Sequence, residues 1–172
     1  MTKVCSGADF KSRKMIATGL VMLRLTYRIQ VYGQANDYLI QILQTQQNRA
    51  ARFVANSALG TRTSAVLKQV GWLSVKQLFV YHSLLLVWKI QQSGEPLFLK
   101  EKFMKRFPYA TRQATGNCFS LNDTPKSEFS RKSFVYGSSV LWNSLPSDVR
   151  KTEKLLPFKT KLKCWVKENV SI

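Results

Sequence analysis

Apolar residues recur every three or four positions from about residue 10 to residue 105, the spacing that places side chains on one face of an α-helix. The first predicted helix ends at Gly33, a residue type suited to the left-handed turn that often closes a helix. Its inner face is predicted to carry Ile16, Leu20, Leu23, Tyr27 and Val31.

A second helix is predicted over residues 36–56, with Asn36 as its N-cap. Gln46 falls on its apolar stripe, so this side chain is either buried with a partner or placed at the helix margin. The predicted inner face consists of Leu39, Leu43, Ala50 and Phe53.

A short third helix is predicted over residues 63–71, followed by a longer fourth helix. Ser74 and Gln77 have the spacing of a capping box, in which each side chain bonds to the other residue's backbone N–H. The helix that follows is apolar nearly all round, which predicts that it is the most buried element. Gly94 and Pro96 are expected to end it.

The composition changes after residue 106. Residues 107–130 are rich in Thr, Asn, Ser and Pro, which predicts a long loop with one or two short strands near residues 118–121. Helical spacing returns over residues 130–146 through Phe134, Val140, Leu141 and Leu145. Pro157 suits the first position of a last helix, whose inward residues are predicted to be Phe158, Leu162, Trp165 and Val166.

The fold expected from these patterns is mainly α-helical, with a small β or loop insertion around residues 107–130. Two segments are expected, residues 1–105 and residues 106–172, packed as one unit. The 11 residues of the most apolar stretch, 78–88, are too few to span a bilayer, so no membrane partner is expected.

The chain is strongly basic, with 27 Lys and Arg against nine Asp and Glu among 172 residues, a net charge of +18. Residues 1–99 hold 12 basic and 3 acidic residues and residues 100–172 hold 15 and 6, so each part carries +9. Such a field attracts polyanions, and nucleic acid is the commonest of them. An anionic membrane surface and an acidic protein are the next alternatives.

The candidate phosphate contacts are basic residues on the predicted helices: Arg13, Lys14, Arg24, Arg28, Arg49, Arg52, Arg131, Lys132, Lys159, Lys161 and Lys163. Residues 130–137 also interleave cations with Phe134 and Tyr136, a pattern able to stack on bases. The ordinary alternative is a solvated helix face for the cations and core packing for the aromatic rings.

Few residues are available for catalysis. No two of the nine carboxylates have the D-x-D or D-D spacing that would hold a shared metal ion. His82, the single histidine, lies within the apolar fourth helix, where a satisfied core side chain is commoner than a general base. Cys5, Cys118 and Cys164 lack the spacing of a zinc site or a disulfide framework, so we expect no cofactor and reduced thiols inside the cell, in the nucleus or cytoplasm.

Several stretches resemble one family when they are taken in order. LTYRIQVYG (25–33), LQTQQNRAARFV (43–54) and VGWLSVKQLFVYHSLLLVWKI (70–90) are similar to the region after the polymerase core in LINE-type, non-LTR retrotransposon reverse transcriptases. RQATGN (112–117), followed by KSFVYGSSVLWNSLPSDVRKTEKLLPFKTKLKCWV (132–166), resembles the C-terminal tail of jockey-like elements. In that tail an arginine-bearing loop precedes an F-x-Y segment, an L-W-N-x-L-P segment and a closing F-K-x-x-L-K.

The resemblance extends from about Ser12 to Val166 and implies a helical region that handles template RNA or target DNA. It adds Arg112, in the arginine-bearing loop, to the candidate contacts. The family's catalytic Y-x-D-D and its endonuclease have no counterpart here. The expectation is therefore a detached or decayed C-terminal piece without catalysis, whose partners are RNA or DNA bound without sequence preference, and a reverse-transcriptase core.

The resemblance gives the segment at residues 44–52 two interpretations. Gln44, Gln47, Asn48, Arg49 and Arg52 either contact nucleic acid beside a polymerase core or pack against that core. The alternative is that Asn48 and Arg49 cap and brace neighbouring elements within the domain.

We expect the purified chain to extend no primer on an RNA template with Mg²⁺ or Mn²⁺, because no carboxylate pair is available to hold two metal ions. A primer-extension assay measures this directly. Template-dependent incorporation that survives removal of contaminating polymerases would show that the chain is an enzyme.

Overall fold

The computed structural model describes residues 7–103, 118–119 and 125–170, except for the side chain of Phe129. Its regular structure is helical, as predicted, and the described residues include no β-strand. Most of the predicted insertion at residues 107–130 lies outside the described residues.

The N-terminal segment contains three short helices: α1 (Phe10–Ala17), α2 (Leu23–Thr26) and α3 (Ile29–Tyr32). Asp9 caps α1 by accepting a hydrogen bond from the Ser12 N–H at 3.2 Å. A π-helical turn over Thr18–Met22 joins α1 to α2. Arg28, with φ at 52°, has a left-handed conformation that interrupts the helix between α2 and α3.

The predicted inner face of this segment is wrong. Ile16, Leu20, Leu23, Tyr27 and Val31 are 41%, 50%, 64%, 70% and 78% exposed. The buried residues are instead Ala17, Met22, Leu25 and Ile29. The step of five from Ala17 to Met22 crosses the π turn, whose extra residue lets α1 and α2 present the same side to the core.

The long helix α4 (Asp37–Ala55) begins where the sequence predicts, and the Asn36 side chain accepts from the Tyr38 N–H at 3.0 Å. Its buried face lies one residue later than predicted. Leu39 is 50% exposed and Gln46 is exposed. The buried residues of α4 are Ile40, Gln47, Ala51 and Val54.

Helix α5 (Thr63–Val70) follows and ends at Gly71, as predicted; the φ of Gly71 is 78°, the left-handed conformation that commonly closes a helix. Its buried residues complete a core with α1 and α4, comprising Ala17, Ala51, Val54, Val66, Leu67 and Val70, with Phe53 and Trp72 packed against it.

The capping box before helix α6 (Val75–Ser93) is confirmed. Ser74 Oγ accepts from the Gln77 N–H at 3.3 Å, and Gln77 Oε1 accepts from the Ser74 N–H at 3.0 Å. The predicted high burial is also present, because the exposed residues of this helix are limited to Lys76, Lys89, Gln92 and Ser93.

The described chain divides into two compact units within α6. The first unit runs to Phe79 and includes Val170, and the second spans Val80–Asn169. This division differs from the predicted boundary at residue 105. In the first unit, the Gln77 amide donates to the Val170 carbonyl at 2.9 Å.

The second unit also contains α7 (Leu97–Phe103), α8 (Glu128–Arg131), α9 (Phe134–Asn143), α10 (Ser147–Arg150) and α11 (Leu155–Asn169). The helix predicted over residues 130–146 is thus divided. Pro157 is the third residue of α11, two positions later than predicted. The predicted inward residues Phe158, Leu162 and Val166 are buried, and Trp165 is half-buried.

Aromatic rings form the core of the second unit. Phe119 lies between Phe103 and Trp142, at centroid distances of 5.1 Å and 5.9 Å. Trp142 then contacts Phe158 at 6.2 Å, and Phe158 stacks on Trp88 at 5.3 Å. Aromatic contacts with centroids 4.5–7 Å apart contribute about 0.5–1.5 kcal/mol beyond burial alone.

Asn143 fixes the backbone of Phe119 within this core. Its amide donates to the Phe119 carbonyl and accepts from the Phe119 N–H, both at 2.8 Å. Trp142, Asn143 and Leu145, which belong to the L-W-N-x-L-P segment, are therefore structural residues.

Within the described residues, no single helix combines the length and hydropathy needed to cross a bilayer. Helices α5 and α6 meet that test only as a pair, by length and composition, with a bend of 44° between them.

Residues 10–42 leave ten large hydrophobic side chains exposed: Phe10, Met15, Ile16, Leu20, Leu23, Tyr27, Val31, Tyr38, Leu39 and Ile42. We expect these surfaces to drive self-association when salt screens the +18 charge, since the Debye length falls to about 8 Å at 0.15 M ionic strength. Sedimentation at low and high salt should show association increasing with salt. A monomer under both conditions that binds no hydrophobic dye would contradict this expectation.

Candidate nucleic-acid interface

The amides of the 44–52 segment form a network inside the first unit. Gln47 is 0% exposed and donates to the Leu73 carbonyl at 2.7 Å. Gln44 donates to Gln47 Oε1 at 2.9 Å and to Asn48 Oδ1 at 2.8 Å, and accepts from the Val75 N–H at 2.8 Å. These bonds join α4 to the turn that precedes α6.

The prediction that Gln47 contacts nucleic acid is wrong, because burial and hydrogen bonding occupy its side chain. Asn48 is half-buried and accepts from Gln44, which agrees with its alternative role as a brace. The sequence shows the amides but not the direction in which they point, because that direction depends on which face of α4 is buried.

The two arginines of this segment have different surroundings. Arg49 is exposed. Arg52 is half-buried, and its Nη2 donates to the Thr63 hydroxyl at 3.2 Å and the Thr61 carbonyl at 3.4 Å. Arg52 therefore braces the start of α5, whereas Arg49 is available for contacts.

Arg62, the exposed N-cap residue of α5, was not among the predicted nucleic-acid contacts. No side chain caps this helix, and its first turn contains no acidic residue. A helix N-terminus carries partial positive charge, so a cation there is electrostatically unfavourable unless an anion is bound nearby. Arg52 contacts the residues on either side of Arg62, and Arg49 lies about one turn before Arg52 on α4. We call these three arginines the α4–α5 corner.

The predicted cations of the N-terminal segment are spread over several turns. Arg13 and Lys14 are half-buried, and Lys14 Nζ lies 5.9 Å from the centroid of Phe10. Arg24 and Arg28 are exposed, and the Arg28 guanidinium lies 5.8 Å from the centroid of Tyr27.

Around α8 and α9, several predicted contacts have intramolecular partners. Lys132 pairs with Glu128 at 2.7 Å, and Arg131 Nε donates to the Pro125 carbonyl at 3.1 Å. Tyr136 is half-buried within α9, and its N–H donates to the Ser133 hydroxyl that caps the helix. Arg112 lies outside the described residues.

Helix α11 carries a row of lysines about 100° around the helix axis from its buried residues, because each lysine follows a buried residue by one position. Lys159 is half-buried and Lys163 is exposed, and both lie on one row that continues to Lys167, which sequence reasoning missed. The spacing of four residues that aligns them was the available signal, and the row is about 12 Å long at 1.5 Å per residue. Lys161 lies off this row and donates to the Asp148 carbonyl at 3.4 Å.

His82 is half-buried and in edge contact with Tyr81 at a centroid distance of 5.4 Å. Burial lowers the pKa of His82 below its ordinary value, and the nearby charge of Lys89 lowers that pKa further. Within residues 7–103, 118–119 and 125–170, no three metal-ligating side chains come together.

Comparison with models of known protein families, with curated proteins and with solved structures found no match to this chain.

The amide network leads to a stability prediction. Replacing Gln47 with Leu removes the donor to the Leu73 carbonyl, and we expect a loss of about 1–3 kcal/mol in the free energy of unfolding. Urea denaturation measures the change. The matched control is Gln46→Leu, one position away and exposed, for which we expect a change within about 0.5 kcal/mol. Equal losses in the two variants would contradict the structural role of Gln47.

Proposed function

We infer that this chain is a non-catalytic module that binds RNA or DNA through phosphate contacts, without strong sequence preference. The α4–α5 corner carries the inference. It places exposed Arg62 at the start of a helix that has no capping side chain and no acidic residue in its first turn, beside Arg52, with exposed Arg49 about one turn earlier on α4. A phosphate would relieve the positive potential there and accept hydrogen bonds from guanidinium and backbone groups.

The surrounding sequence strengthens this electrostatic argument. Residues 38–94 contain six basic residues and no Asp or Glu, so no carboxylate within that stretch competes for the cations. The lysine row on α11 gives the second unit a further basic surface. Contacts of this kind position a nucleic acid without discriminating its sequence.

The origin that we propose is the region after the polymerase core of a jockey-like non-LTR reverse transcriptase. The supporting observation is the sequence resemblance, together with the structural roles of Trp142 and Asn143 in its L-W-N segment. Trp142 and Asn143 belong to the core of the second unit, so the segment that carries the resemblance is part of the fold.

A structural protein-interaction module, or a decayed fragment with no selected function, is the alternative. The exposed hydrophobic side chains of residues 10–42 favour the protein-interaction module. Salt distinguishes binding through phosphates from binding through an apolar interface, because only the former weakens steeply with ionic strength.

The experiment replaces Arg49 and Arg62 with Gln and leaves the bracing Arg52 intact. We expect the double variant to bind duplex DNA about tenfold more weakly. The slope of log affinity against log salt should decrease by about 1.8, since each lost phosphate contact contributes about 0.9. Fluorescence anisotropy at several salt concentrations gives both quantities.

The control is Lys68→Gln with Lys89→Gln, which changes the net charge equally at two other exposed positions. A similar loss of affinity in this control would mean that binding depends on total charge, with no preferred site at the corner. Failure of the unmodified chain to bind either RNA or DNA would refute the proposed function itself. Circular dichroism of each variant confirms that helical content is retained.

A further inference from the structure

An apolar groove lies on the first unit, between α2–α3 and the N-terminal half of α4. Its volume is about 480 Å³, and it is lined by Arg24, Leu25, Tyr32, Ala35, Leu39, Ile40, Ile42 and Leu43. Leu25 and Ile40 are buried, at 7% and 5% exposure, whereas Leu39 and Ile42 are 50% and 42% exposed. The groove therefore combines buried residues with accessible apolar side chains.

The groove is held in shape by contacts on both sides. The Tyr32 hydroxyl donates to the Leu25 carbonyl, which fixes α3 relative to α2. Asn36 caps α4 at the adjacent end. A concavity of this kind suits side chains inserted from a partner helix, whose anchors are three or four residues apart.

Charge indicates the chemistry of that partner. Arg24 is the charged residue among those described that line the groove. Residues 10–36 hold Lys11, Arg13, Lys14, Arg24 and Arg28 and no carboxylate. The nearby Asp37 is itself paired with Lys76 at 3.5 Å. An apolar groove within a basic segment is complementary to apolar anchors flanked by carboxylates.

We propose that this groove binds an acidic amphipathic helix of a partner protein. Leu and similar side chains of the helix enter beside Leu39 and Ile42, and its flanking carboxylates face Arg24 at the edge of the groove. The interaction is separate from the nucleic-acid contacts at the α4–α5 corner, because none of the three corner arginines lines the groove.

The probe is a labelled peptide of about 18 residues, long enough to form a helix, with Leu along one face and Glu elsewhere. A peptide of the same composition with a scrambled order has the same charge but no apolar face. We expect the patterned peptide to bind the full chain at least about tenfold more tightly than the scrambled one. Equal affinities would overturn the proposal, since they would show attraction by charge alone.

The variant is Leu39→Ser with Ile42→Ser, which removes the accessible apolar side chains and leaves the charge unchanged. We expect it to weaken binding of the patterned peptide at least about tenfold, equivalent to about 1.4 kcal/mol. The control is Leu59→Ser with Leu156→Ser, two residues that are 87% and 75% exposed elsewhere, and it should bind as the unmodified chain does. Equal effects of variant and control would overturn the proposal.

Three further measurements separate other occupants from the proposed one. Binding to phosphatidylserine vesicles without binding to the peptide would overturn the proposal in favour of a membrane surface. If the unmodified chain does not bind the peptide but self-associates, and the Leu39→Ser/Ile42→Ser variant does not self-associate, the groove binds a second copy of the chain and the proposal is overturned. DNA affinity should be unchanged in this variant, so a failure here is distinguishable from a failure of the proposed function.

Discussion

The buried amide of Gln47 is the contact on which the first unit depends most. It bonds to the Leu73 carbonyl at 2.7 Å, lies 3.6 Å from Met22 Sδ and accepts from Gln44. One side chain thus connects α4 to the N-terminal segment and to the turn before α6. An unpaired amide in this position would cost about 1–3 kcal/mol, so the hydrogen bonds of Gln47 favour the assembled arrangement of these segments.

The same contact determines which residues face solvent. Successive side chains of an α-helix are rotated by about 100°, so burial of Gln47 directs Arg49 towards the opposite side of α4. Arg52 is long enough to reach Thr61 and Thr63 from its flank and thereby orders the start of α5. The basic surface of this unit is consequently a result of how its amides are buried.

Electrostatic repulsion is poorly compensated within the described residues. Their ion pairs, Lys76 with Asp37 and Lys132 with Glu128, are both solvent-exposed and contribute little to stability. The fold must therefore tolerate its charge through burial of apolar and aromatic groups, as in the stack of Trp88 on Phe158. A polyanion would lower the free energy of the folded chain by reducing this repulsion.

Sequence reasoning predicted the features that depend on local backbone chemistry. The Asn36 cap, the Ser74–Gln77 box and the Gly71 terminus all follow from hydrogen bonds within a few residues of each helix end. The predictions were wrong where the buried face of a helix depends on residues that are distant in the sequence. The buried face of α4 differs from the predicted face by one residue, because packing against α1 and α5 selects between two adjacent stripes of similar polarity.

The same distinction between local and distant contacts applies to the residues of the candidate site. Exposure of Arg49 was predictable from its place between the apolar positions, whereas the bracing role of Arg52 depends on a contact with Thr63 eleven residues away. Arg62 was missed because its position gains significance only when Arg52 lies beside it. The proposed resemblance to a family concerns segments of the sequence and does not predict the direction of their side chains.

The π turn at Thr18–Met22 has a consequence for how chains of this kind can vary in length. The Leu23 N–H bonds to the Thr18 carbonyl, five residues back, where a regular α-helix would bond four back. Deleting one residue between Ala17 and Met22 would leave them four positions apart, the α-helical spacing, with both still facing the core. The turn is thus a place where a single residue can be removed without changing which side of the helix faces the core. A deletion within α4 would instead rotate half of its buried face into water.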